Sequence, residues 1–314
     1  MYPIITVTLC PALDQTLHID ILRPGEVNEA ENSHIAPGGK GINVASCLAD
    51  WGLPVIATGV LGMENAAPFT SLFAAKGISN RFVLQEGATR STIKLVDRAN
   101  GQTTAINQPG LAIHPQAFEA CLRQIDQLCA PGVLVVLSGR LPPGLPDTTY
   151  ASLAARLMRQ GARVALDCGG PALMHAVLAT PPFCVKPNRH ELSQAIGLPL
   201  PDIQDVLRAA IGWHRHGVEQ VVVSLAAEGA LFVVQGQAWM AQSPKVPVLG
   251  RVGAGDALLA GWFAAQHQKR GLEDAMRLAL AFATGKLGRV GPHLPSLPAV
   301  RELARAVRLT RLPV

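Results

Sequence analysis

The run Gly253-Ala254-Gly255-Asp256 sets small residues directly before a carboxylate, and an apolar stretch, Ala257 to Phe263, follows it up to Lys269-Arg270-Gly271. That pattern predicts a helix over 256–270 that closes on cations and a glycine stop. The first N–H groups of a helix have no intrahelical acceptor, so those of Gly253, Ala254 and Gly255 can converge on one anion. Small residues let a phosphate approach closely. Asp256 then has two readings. It is a charge stabilised by the helix dipole, or it is a general base that takes a proton from a hydroxyl while neighbouring N–H groups hold charge on a phosphoryl group in transit. The motif alone leaves both open.

A second cluster, Pro37-Gly38-Gly39-Lys40-Gly41-Ile42-Asn43, also opens a helical stretch, which ends near Trp51-Gly52. A tight turn needs such glycines for its backbone. With Lys40 and Asn43, its N–H groups also suit sugar hydroxyls or a substrate phosphate. Farther on, Lys186-Pro187-Asn188-Arg189-His190-Glu191 follows a buried strand and puts Asn188 and Glu191 one turn apart, at the sheet end where open α/β folds bind ligands. Asn188 capping the helix with Glu191 closing a capping box is one reading. A water-mediated magnesium site built on hard oxygens is the other. Ser224 and Gly229, at another strand end, either line a nucleotide pocket or form an ordinary hairpin turn. His214 and His216 point to different helix faces and read as surface residues. No H-E-x-x-H, G-x-S-x-G or Walker-type G-x-x-x-x-G-K-[ST] sequence occurs.

Strands and helices must hold these turns in place. From about residue 110 onward, valine-rich runs at 133–137, 164–166 and 221–223 alternate with amphipathic stretches at 115–128, 148–160 and 201–216. This is the pattern of a parallel sheet covered by helices. The amino-terminal third is strand-rich instead: 15–21, 27–35, 81–84 and 91–105 read as strands joined by turns such as Arg98-Ala99-Asn100-Gly101. They form either a separate small sheet over a site or an edge extension of the main sheet.

With 314 residues, 49% hydrophobic and 16% charged, the chain has enough apolar material for one large domain over 1–314. Its first nine residues are too short an apolar run to cross a bilayer and lack a basic leader, so they read as the first strand of a cytoplasmic protein. Six cysteines without paired spacing read as buried free thiols. The net charge of +5 gathers near the carboxyl end, at Lys286, Arg289, Arg301, Arg305, Arg308 and Arg311. No aromatic residues alternate with these cations, so they read as a solvated helix face rather than a nucleic-acid site. Neither a membrane nor a nucleic acid is expected as a partner.

Taken together, Gly38-Gly39-Lys40-Gly41-Ile42-Asn43-Val44-Ala45, Lys186-Pro187-Asn188 with Glu191, and Val252-Gly253-Ala254-Gly255-Asp256 resemble the ribokinase-like sugar kinases of the phosphofructokinase B type, in order and spacing and over essentially the whole chain. The resemblance implies a three-layer α/β/α domain with a mainly parallel sheet. It also implies a small β-sheet lid, formed by about 14–36 and 88–108 and clasped to the lid of a second subunit in a homodimer. ATP with magnesium would be the phosphoryl donor. Asp256 is then the base and Gly253, Ala254 and Gly255 the anion hole. Lys186, Asn188, Ser224, Gly229 and Arg251 fall on the nucleotide side, and Glu191 with Asn188 is associated with magnesium through water. Asp14, Gly38, Gly39 and Asn43 become ligands of sugar hydroxyls.

Within that branch the chain is similar to the 1-phosphofructokinases, through Gly25-Glu26-Val27-Asn28, Lys40, Thr89-Arg90 with Lys94, and the run Thr104 to Gly110. This implies conversion of fructose 1-phosphate to fructose 1,6-bisphosphate, with Arg90 forking the substrate phosphate. Lys40, Asn107 and Arg140 join the substrate side. The 6-phosphofructokinases and tagatose-6-phosphate kinases share most of these residues. Departures from the pattern leave the sugar phosphate open: Arg140 and Thr92 stand where serine and asparagine are usual, Gly250-Arg251 replaces Ser-Thr, and Ala226 replaces glycine. They also keep a non-catalytic sugar-phosphate or nucleotide sensor in view, although Gly253, Gly255 and Asp256 argue for the kinase. A dinucleotide-dependent dehydrogenase is disfavoured because Cys10-Pro11-Ala12-Leu13-Asp14, and not a G-x-G-x-x-G turn, follows the first strand.

Overall fold

Along the central strands, buried aliphatic residues point alternately into two separate cores, as they must where helices cover both faces of a sheet. The computed structural model describes residues 2–250, 252–289 and 291–314. Its strands are β1 (Ile4–Thr8), β2 (Ala12–Ile19), β3 (Asn32–Gly38), β4 (Val55–Gly62), β5 (Ser79–Gln85), β6 (Ser91–Asp97), β7 (Thr103–Asn107), β8 (Leu134–Ser138), β9 (Arg163–Asp167), β10 (Cys184–Val185), β11 (Gln220–Ser224), β12 (Ala230–Val234), β13 (Gln237–Gln242) and β14 (Arg308–Leu312). The helices are α1 (Lys40–Asp50), α2 (Ala67–Lys76), α3 (Pro115–Leu128), α4 (Thr149–Arg159), α5 (Gly170–Ala179), α6 (Arg189–Ile196), α7 (Ile203–Arg215), α8 (Ala254–His267), α9 (Leu272–Leu287) and α10 (Leu297–Ala306).

Ten strands form one sheet in the order β14-β13-β12-β11-β10-β9-β8-β1-β4-β5. From β5 to β11 neighbours are parallel, and β12, β13 and β14 add an antiparallel edge. Val136, Ala165 and Val222 pack with Trp262 of α8 and Phe282 of α9 on one face. Val135, Val164 and Val223 pack with Tyr150 of α4 and Trp213 of α7 on the other. Each fully buried aliphatic or phenyl side chain contributes about 1.5–3 kcal/mol. The three-layer α/β/α arrangement follows.

A second sheet of four strands, in the order β3-β2-β6-β7, stands apart from the first. Its middle pair, β2 and β6, is parallel, and its outer pairs are antiparallel. The strand expected at 81–84 is not part of it. Helix α2 returns the chain as a β-α-β crossover, so β5 lies parallel to β4 at the edge of the main sheet, where Phe82 stacks on Phe73 at 5.6 Å. Residues 27–31 are not strand either: Val27 is exposed and the Asn28 amide bonds back to Arg23 across a turn. The stretch 91–105 divides at a turn in which the Asp97 carboxylate accepts the N–H groups of Ala99 and Asn100. Helix α8 starts two residues earlier and stops three earlier than its pattern suggests. Lys269 takes the left-handed φ of 54°, and Gly271 caps the start of α9 instead of the end of α8.

Five of the cysteines are buried, Cys129 is half-buried, and all six are free. His214 is half-buried, not a surface residue; its ring meets Val218 O and accepts the Gly236 N–H. Among the described residues no helix is long and apolar enough to cross a membrane.

Candidate active site

Gly253 precedes α8 with φ 81°, in the left-handed region. The backbone angle selects glycine, and a Cβ there would lie 3.3 Å from Lys286 Cε and 3.5 Å from Asn43 Nδ2. Asp256 falls in the first turn of α8 and is 6% exposed. Asn43, in the first turn of α1, donates its Nδ2–H to Asp256 Oδ2 at 2.7 Å. Burial, and then the like charge of Asp167, push the Asp256 carboxyl up to about 6, against the pull of Lys40, Lys186 and the Asn43 bond. A carboxylate at that value is ionised at neutral pH and basic enough to take a proton.

Asp167 ends β9 and is fully buried. Its Oδ1 accepts from Lys40 Nζ at 2.9 Å and lies 3.2 Å from Lys186 Nζ. Burial opposes the Asp167 charge, but Lys186 and Lys40 outweigh burial and keep the carboxyl below the usual range. Lys40 also donates to Glu191 Oε1 at 3.0 Å. Burial alone would depress the Lys40 ammonium, yet Asp167, Glu191 and Asp256 raise it above its ordinary value. Lys186 is 3% exposed, and a Cβ on Gly255 would lie 3.2 Å from its Nζ. Lys186 thus stands beside the glycine turn and shares the Asp167 oxygen with Lys40. Asn188 and Glu191 form the capping box: Asn188 Oδ1 accepts the Glu191 N–H at 2.8 Å and Glu191 Oε2 accepts the Asn188 N–H at 2.9 Å. One residue pair therefore both starts α6 and anchors Lys40.

The small sheet presents one face to a cavity of about 940 Å³, lined among others by Asp14, His34, Asn43, Lys94 and Lys286. Asp14 Oδ2 accepts from Lys94 Nζ at 2.7 Å. A Cβ on Gly38 would lie 2.8 Å from the same oxygen, and one on Gly39, where φ is 121°, would lie 3.0 Å from Thr8 Cγ2. These glycines let β3 turn into α1 directly over the end of β1. In register across the sheet, Asp14 faces Thr92, and Thr92 faces Asn107. Arg90 precedes that row. The backbone of Thr89 is held from both sides by the Asn65 amide, and Arg90 donates to Thr92 Oγ1 at 3.2 Å while its Nε is buried without a partner among the described residues. Exposed Arg140 donates to Gln108 O at 2.8 Å, tying the end of β8 to the segment after β7.

Lys40, Asn43, Gly253, Gly255, Asp256, Lys186 and Glu191 are thus one connected cluster, with Asp14 on the cavity beside Asn43. Arg90, Asn107 and Arg140 lie along one margin of the small sheet and do not line that cavity. Ser224 bridges to Asn188 across a strand end. At Gly229, with φ 107°, a Cβ would lie 2.0 Å from Ala241 O, so the hairpin itself requires glycine there. Arg251 lies outside the described residues. Sequence reasoning missed Asp167 as a site residue; its only signal is a carboxylate closing the buried run Val164-Ala165-Leu166. It also put Lys286 on a solvated face, whereas Lys286 is 4% exposed.

A buried carboxylate in the first helical turn after a glycine turn, a lysine beside that turn and a polar cavity in front suit group transfer to a hydroxyl at the end of an α/β/α sheet. The chain belongs to the pfkB family of carbohydrate kinases, whose model matches residues 7–299. It is 43% identical to a 1-phosphofructokinase of Xanthomonas campestris, over 98% of both chains. It is also 43% identical to one of Rhodobacter capsulatus, over 99% of this chain and 98% of the relative. Among solved structures, phosphofructokinase-2 from Escherichia coli in complex with fructose-6-phosphate superposes with a TM-score of 0.89 at 28% identity, over 97% of this chain and 99% of the other.

Proposed function

We propose that the chain transfers the γ-phosphoryl group of ATP to fructose 1-phosphate, giving fructose 1,6-bisphosphate. The observation that carries this reading is buried Asp256, raised to about 6 just after the glycine turn within reach of the charges of Lys40 and Lys186, in a chain 43% identical along its length to 1-phosphofructokinases. Asp14, Asn43 and the Gly38-Gly39 backbone orient the acceptor sugar, and Arg90 holds its phosphate with help from Lys40, Asn107 and Arg140. Asp256 takes the proton of the attacking hydroxyl. The N–H groups of Gly253, Ala254 and Gly255 hold the charge that develops, and Lys186 adds a fixed cation. Asn188, Ser224, Gly229 and Arg251 make up the nucleotide side.

Magnesium would neutralise charge on the phosphate oxygens. Both Glu191 oxygens are taken by Lys40 and the Asn188 N–H, so Glu191 and Asn188 would hold the ion through water. The orphaned, buried Asp167 Oδ2 supplies a further hard oxygen nearby. No group of three or more acidic, histidine or cysteine ligands occurs among the described residues, which suits an ion carried largely by water and phosphate.

We further infer a homodimer clasped through its lids, the small sheets formed by about 14–36 and 88–108. A cytoplasmic location fits the six free thiols. The test is ADP release with magnesium and ATP, comparing fructose 1-phosphate, fructose 6-phosphate and tagatose 6-phosphate at matched concentrations. Preference for fructose 1-phosphate supports the reading. Preference for another acceptor replaces the substrate, and no turnover with any would leave a sensor of sugar phosphate or nucleotide.

A further inference from the structure

Lys286 occupies the last turn of α9 with a relative exposure of 4%, while Gly288 and Arg289 just beyond it are exposed. The described ion pairs give Lys40, Lys76, Lys94 and Lys186 carboxylate partners and give Lys286 none. Among the described residues its ammonium donates to one backbone carbonyl, Arg289 O, at 3.1 Å. A desolvated ammonium balanced by a lone carbonyl is costly, and an apolar side chain would fill the same space without that cost. The stem of Lys286 runs against the turn that starts α8, with Cε 3.3 Å from where a Gly253 Cβ would stand. The residue also lines the cavity that holds Asp14, Asn43 and Lys94. An ammonium with no carboxylate partner among the described residues has one evident use at this place: an anion arriving at the glycine turn.

We propose that Lys286 is a positioning residue for phosphoryl transfer, tying the segment after α9 to the Gly253 turn and setting a fixed positive charge behind the anion hole. This rests on the kinase reading above. A charge behind the turn acts on the developing anion more than on the bound sugar, so its loss appears in kcat and not in the KM for the acceptor.

The variants to compare are Lys286→Met, which keeps length and removes charge, Lys286→Arg, and Lys286→Ala with and without n-propylammonium, each with a melting curve to establish folding. The expected result is a kcat lower by about 10- to 100-fold in Lys286→Met with KM within about threefold. Partial activity in Lys286→Arg is also expected, as is recovery of Lys286→Ala by n-propylammonium but not by n-propanol. A Lys286→Met kcat within about twofold of the parent, or a loss that the amine does not rescue, overturns the proposal. The parent is assayed on the full acceptor panel, so silence of the parent marks failure of the kinase reading instead. In that event, binding of ADP with aluminium fluoride decides. Binding about tenfold weaker in Lys286→Met with ADP alone unchanged upholds the proposal, and equal binding overturns it.

Discussion

Asp256 loses hydration on burial and faces the like charge of Asp167, so its carboxyl rises from 3.8 to about 6. Two consequences can be measured. The acid limb of the kcat/KM profile should fall near pH 6, since only the ionised carboxylate accepts a proton. Asp167→Asn should move that limb to lower pH by removing the repulsion while Lys40 and Lys186 remain, at a cost of about 3–5 kcal/mol for the broken buried ion pairs. Asp256→Asn should lower turnover by about a hundred- to ten-thousandfold with ATP affinity spared. The same variant should be the more stable protein at neutral pH. With a folded pKa above the unfolded one, the native state holds the extra proton between about 3.8 and 6, so stability falls as pH rises through that window and stays lower above it. Melting at pH 7.5 should favour Asp256→Asn by a few degrees, roughly, and the difference should vanish near pH 4. Asp256, Asn43 and Lys40 were legible in the sequence because glycine turns flag them locally. Asp167 and Lys286 were not, because each stands in an apolar run and gains its chemistry only when folding brings Lys40 or Gly253 against it.

Helix starts carry both structure and site. The Asn188 cap anchors Glu191, which in turn holds Lys40. Asn188→Ala should therefore cost about 1 kcal/mol in a denaturant melt and, on the proposed magnesium role of Glu191, raise the magnesium concentration needed for half-maximal turnover, because the carboxylate loses its anchor. Unchanged magnesium dependence would restrict Asn188 to capping. Element types in the carboxyl-terminal part followed from periodicity, since valine runs such as Val221-Val222-Val223 alternate between two cores. Strand partners did not. Nothing within 81–84 says that α2 will return it beside β4, and Val27, β-branched and 93% exposed, sits in a turn closed by Asn28. The end of α8 was misjudged for a similar reason: Gly271 looked like a stop, but its extended backbone begins α9.

The small sheet has an unfinished face. In the small sheet, Asp14, Thr16, Lys94 and Ala105 face the cavity, so side-chain alternation turns the row Ile35, Gln15, Ile93 and Ile106 to the opposite side. Ile35 is 53% and Ile106 50% exposed. A four-stranded sheet with one polar face on a cavity and one apolar face in water lacks the covering that makes small sheets stable. The same face of a second copy would supply it through a twofold, self-complementary contact. The sequence marks most of the strand residues but not the face, because which parity meets the cavity depends on how α1 and the Gly38-Gly39 turn set the sheet over the main domain. Light scattering on the eluting protein should give the mass of two chains. Ile35→Lys with Ile106→Lys should give the mass of one, since paired lysines facing one another across the twofold axis cannot be buried without partners. That variant should keep the melting transition of the α/β domain and lose activity, because a sheet without its cover would let Asp14 and Lys94 shift over the cavity. A parent of one-chain mass, or a monomeric variant with full turnover, would show that the small sheet closes its site without a second copy.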